Sequence, residues 1–127
     1  MSVSVTEFDA LVRAAFEELP EVYRDACDGL GIRTEPHAAD DVLESLDIAD
    51  PSELVGLYHG INLARKSVFD LAGLPDEVII YRNPIIAYAR ATGQPLADVV
   101  RHVLVHEIGH HFGFSDDDME AIENRNA

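Results

Sequence analysis

The stretch that most constrains the fold is "PLADVVRHVLVHEIGHHFG", residues 95 to 113. Leu96, Val99, Val100, Val103, Leu104 and Ile108 recur three and four residues apart, the spacing that lines one side of an α-helix. Pro95 fits the first turn, where a missing N–H is not needed, and Gly113 fits the turn past the end. A helix of this length with an apolar stripe has to lie against something, so it is the expected spine of the core.

The rest of the chain offers partners for it. In "SVTEFDALVRAAFEELP", Phe8, Leu11, Val12, Ala15, Phe16 and Leu19 form a second stripe, with Ser4 and Glu7 spaced as a capping box. Pro20 ends that helix or opens a short one in "PEVYRDACD". "GLGIRTE" and "ELVGLYHGINL" read as strands with turns. "EVIIYRNPI" is the strongest strand, closed by Asn-Pro, and "PIIAYARATG" reads as a short helix ended by Gly93. "PHAADDVLESLDIADPSE" reads as a connection or short surface helix with His37 solvated, "RKSVFDLAGLPDE" as a loop, and "SDDDMEAIENRNA" as a last short helix. The order predicts one α+β domain over residues 1–127, a short mixed sheet packed against helices.

Composition narrows the function classes. With 24 acidic against 9 basic residues the formal charge is −15, which repels a phosphate backbone and makes nucleic acid a poor partner. No run is long enough to suggest a membrane span, and "MSVSVTEFDALVR" does not read as a secretion signal. Cys27 is the one cysteine, so no internal disulfide can form, and the cytoplasm is the expected compartment. Oligomeric state is left open.

The chemistry sits on the spine helix. Four of the six histidines, His102, His106, His110 and His111, fall within ten residues. His106-Glu107-Ile108-Gly109-His110 is an H-E-x-x-H match, which chance supplies in roughly two chains of this composition in a hundred. His106 and His110 stand one turn apart, about 6 Å along the axis, and can close on one zinc ion. Glu107 is turned about 100° from His106, near the metal without ligating it, placed to take a proton from zinc-bound water and pass it to a leaving amine. Zinc needs a third protein ligand. Gly113 can turn the chain so that Asp116 returns beneath the metal, with Asp117 and Glu120 the next candidates. Ser115 and the three aspartates after it also have the form of a helix start, so Asp116 has a plain capping role open to it.

His102 lies on nearly the ligand face, where a lone histidine is more often a polar contact, and His111 points off it. Tyr58, His59, Tyr81 and Arg82 end predicted strands and could bind substrate or an oxyanion, although aromatic residues there more often pack.

The pattern H-E-x-x-H-x-x-G-x-x-D, in "HEIGHHFGFSD", resembles the motif of zincin-type metallopeptidases whose third ligand is an aspartate. More closely, the chain is similar to the minimal zincin-like metallopeptidase family of bacteria, single short domains with the motif near the C-terminus. "GLYHG" (56 to 60), "VIIYRNP" (78 to 84) and the motif helix match that family in order. The resemblance spans roughly residues 50 to 123, with the opening helix matching more loosely. It implies a small α+β zincin-like fold, with His106, His110 and Asp116 as zinc ligands and Glu107 as catalytic base. It further implies hydrolysis of a peptide or protein substrate. Larger relatives differ: metzincins carry a third histidine where this chain has Asp116, and Met119 lies too close to Asp116 to form their methionine turn. The alternative is a catalytically inactive zincin-like domain that binds metal or protein. Hydrolysis of a non-peptide amide or ester ranks third.

Overall fold

The computed structural model describes residues 3–27, 29–59 and 76–113. The expected loop at 65–77 lies outside them except for its last two residues, and the C-terminal segment with Asp116 lies wholly outside them.

Helix α1 (Val5–Glu17) starts where the capping residues predict. Ser4 Oγ accepts the Glu7 N–H at 3.1 Å and the Ser4 N–H donates to Glu7 Oε1 at 3.4 Å, so two donors that the helix start would leave bare are satisfied. Pro20 opens the short α2 (Glu21–Ala26), and β1 (Gly31–Glu35) follows. The acidic connection holds α3 (Asp40–Ser45) and one 3-10 turn (Pro51–Glu53). Then come β2 (Gly56–His59), β3 (Glu77–Tyr81), α4 (Arg82–Thr92) and α5 (Leu96–Phe112).

The three strands form a mixed sheet in the order β1-β3-β2, with β1 parallel and β2 antiparallel to β3. The central strand is buried on both faces, which is why its sequence is a continuous apolar run rather than an alternating one. Val78 and Ile80 belong to the main core with α1, α4 and α5, whereas Ile79 and Tyr81 pack on the other face with Ala38 and Leu43. The connection read as a surface segment therefore covers one side of the sheet. Tyr81, one of the strand-end candidates for substrate binding, is 1% exposed in that second core.

The strand expected to run to Asn-Pro stops at Tyr81. Arg82 and Asn83 are already helical, and Pro84 falls in the first turn of α4, where its lack of an N–H costs nothing. Gly93 and Gly113 end α4 and α5 at φ 73° and 75°, a left-handed conformation that glycine takes without strain.

Helix α5 lies at the centre, in contact with α1, α4, β2 and β3. Its buried arc is accordingly wider than the apolar stripe. Val105, Glu107, Gly109 and His111 are buried with Val99, Val100, Val103, Leu104 and Ile108, while Leu96 at the open end is only partly so. No helix among the described residues is long and apolar enough to cross a membrane.

Candidate metal centre

Residues four apart on α5 form two neighbouring rows. Val103, Glu107 and His111 are buried; His102, His106 and His110 sit one residue earlier, about 100° around the axis. On that outer row His102 and His110 are exposed and His106 is half-buried. The His106 and His110 ring centres are 4.9 Å apart with their planes at 84°, and those of His102 and His106 are 6.3 Å apart.

The spacing of the first pair is of the size that two ligands of one zinc ion would keep. Two imidazoles bound tetrahedrally through nitrogen at about 2.0–2.1 Å hold their ring centres roughly 5 Å apart. The helix supplies a separation of that size, and His110 at the end of the row is exposed. Among the described residues no group of three His, Cys, Asp or Glu side chains gathers. Asp116, the expected third ligand, lies outside those residues, as do Asp117 and Glu120.

Glu107 is the unusual member. It is 8% exposed on the sheet side of α5, and burial pushes its carboxyl up from 4.5 to about 7. The strand makes this placement possible. A Cβ on Gly56 of β2 would sit 2.9 Å from Val103 Cγ1, 3.0 Å from Glu107 Cγ and 3.1 Å from Glu107 Oε2. Glycine alone lets the β2 backbone approach this closely and strip water from the carboxyl.

Two residues further along β2, on the same face, Tyr58 reaches a second polar group. Its hydroxyl donates to Asp76 Oδ2 at 2.5 Å, and His111 Nδ1 lies 2.9 Å from the same oxygen. Because a carboxylate only accepts, Nδ1 carries the proton that points at Asp76. Asp76 and His111 are each 4% exposed. Burial, then the bond to Asp76, drives the Tyr58 phenol well above its ordinary range.

His111 thus lies off the row of His102, His106 and His110, as its position predicts, but it is anchored rather than idle. Tyr58, a strand-end candidate, serves in this anchor. Asp76 was not foreseen, being one of 24 acidic residues with no pattern around it. The close approach at Gly56 did leave a trace, a glycine inside a strand-like run. His59 is exposed, and Arg82 is the first residue of α4.

No curated protein matches the chain. A family model described as zincin-like metallopeptidase matches residues 27–126, which takes in the whole sheet, α4 and α5. With that match over most of its length, the chain belongs to the zincin-like metallopeptidase family.

Proposed function

We propose that the protein is a zinc-dependent metallopeptidase in which His106, His110 and Asp116 hold the metal and Glu107 is the general base. The observation that carries this reading is the spacing of the His106 and His110 rings, 4.9 Å, on the open side of a helix whose next residue, Glu107, is held in a dry contact with the sheet. Family membership supports the hydrolase class.

Zinc supplies Lewis acidity when bound: it acidifies water and polarises a carbonyl oxygen. The work of the chain is to place bases and exclude solvent. His106 and His110 present neutral imidazole nitrogens from consecutive turns. Glu107, packed against Gly56, has few positions open to its carboxyl. A carboxyl raised to about 7 accepts a proton readily near neutral pH, so it can take one from the attacking water and return it to the leaving nitrogen. The substrate is a peptide or protein, and the single cysteine fits a cytoplasmic setting.

The test joins metal content to turnover. Wild-type protein purified without chelator should carry about one zinc per chain and cleave members of a broad peptide library. His110→Ala should lose the metal. Glu107→Ala should keep it and lose about 10²–10⁴ in rate, the usual range for a general base. Full activity in Glu107→Ala would remove the mechanism. Zinc bound with no turnover on any peptide would mark a non-hydrolytic member of the family.

A further inference from the structure

Buried Asp76 and His111, with half-buried Tyr58, lie next to the candidate ligands, yet none of the three has a part in the proposed reaction. It joins three separate pieces of chain: β2, the residue that leads into β3, and the last turn of α5. We propose that Asp76 is a positioning residue that holds His111, and through it the C-terminal turn of α5, so that His110 keeps the register required to share a metal with His106. This inference rests on the reading of His106 and His110 as ligands.

Three observations lead there. First, His111 directly follows His110, so the backbone that carries one carries the other. An imidazole nitrogen stands roughly 4.5 Å from its Cα, so turning the helix end by about 10° moves it by about 0.8 Å, several times the tolerance of about 0.2 Å for a metal bond. Second, the last turn of a helix is its loosest part, and α5 ends one residue beyond His111, at Phe112, with Gly113 as its cap. On one side Phe112 meets Tyr23 with ring centres 6.0 Å apart; on the other, His111 is tied to Asp76. Third, both donors converge on one oxygen, Asp76 Oδ2, at 2.5 and 2.9 Å. A charge-assisted bond of that kind fixes direction in a way that packing does not.

Stability alone does not account for the arrangement. Burying a carboxylate is costly, and apolar side chains of the same volume commonly hold a fold as well or better. A directional polar anchor is more useful where orientation matters. The alternation along β2 fits the same role: Gly56 packs on Glu107 and Tyr58 meets His111 one helical turn later, so this strand sets the residue that follows each candidate ligand.

The test is cobalt(II) and zinc binding to the full chain. It is read by the visible absorption of cobalt, which reports coordination geometry, and by competition with a chelator. Asp76→Leu and His111→Leu should weaken binding about 10–100-fold and alter the cobalt spectrum. His111→Asn, whose amide can still donate to Asp76, should stay within about threefold of wild type. Phe8→Leu, a core change in α1 far along the chain, should lower thermal stability and leave metal affinity alone. If wild type binds no cobalt, the ligand reading fails and takes this inference with it. If wild type binds, and the two leucine variants match it, the inference fails by itself. It also fails if Phe8→Leu weakens binding as much as they do. Should Asp76→Leu not fold, the contrast between His111→Asn and His111→Leu decides, since only the second loses the donor.

Discussion

Gly56→Ala is a one-methyl change whose effect can be worked out from the contact of β2 with α5. The backbone at Gly56 is not in the left-handed region, so alanine is conformationally allowed there. Removing glycine's freedom in the unfolded chain favours folding by about 0.4–1 kcal/mol. Against this stands the methyl, 2.9 Å from Val103 Cγ1 and 3.0 Å from Glu107 Cγ. Val103 cannot easily turn away, because a β-branched side chain in a helix has one strongly preferred rotamer. Overpacking of this kind costs about 1–3 kcal/mol, so the net loss is centred on about 1.3 kcal/mol, with an upper end of about 2.6 kcal/mol. In a domain of this size that lowers Tm by roughly 2–8 °C. The measurement is urea and thermal unfolding of the metal-free protein, with Val103→Ala and the double variant completing a cycle. Val103→Ala alone should cost about 1.5 kcal/mol for its lost apolar groups. The double variant should be less destabilised than the sum by about 1 kcal/mol, because the new methyl fills the space that Val103 vacates. If Gly56→Ala is as stable as wild type, or the effects simply add, the strand does not lie as close to the helix as argued. The explanation for the buried Glu107 would then be wrong.

Further outcomes follow from the same structure. In metal-free protein the Glu107 carboxyl keeps its proton up to about pH 7 when folded and releases it above about 4.5 when unfolded, so the native state binds more protons in that window. Stability contributed by this group therefore falls as pH rises from about 4.5 to 7, by up to about 3 kcal/mol. Glu107→Gln should abolish that fall and be the more stable protein at pH 8, as seen by comparing the two unfolding free energies across pH; parallel profiles would refute it. Ser4→Ala should cost about 1 kcal/mol by removing the cap of α1, measured by urea unfolding, and a change under a few tenths would show that the capping box contributes little.

The sequence carried the periodic and local features of the fold. Stripes at helical spacing, the Ser4–Glu7 cap, and Gly93 and Gly113 located α1, α4 and α5 because each signal acts within a few residues of itself. The strand–helix boundary at Tyr81 differs from the expectation because Asn-Pro signals a strand stop and a helix start equally well. The candidate ligand pair was also readable, since one helical turn is enough to place His106 beside His110. What could not be read were the contacts between β2, the start of β3 and α5. Which acidic residue meets His111, and which glycine shelters Glu107, depends on how a strand and a helix distant in the chain are laid together. Asp76 and His111 are 35 residues apart and share no pattern, and the hydrogen bond between them forms, and gains strength from the exclusion of water, only when the strand and the helix are packed together.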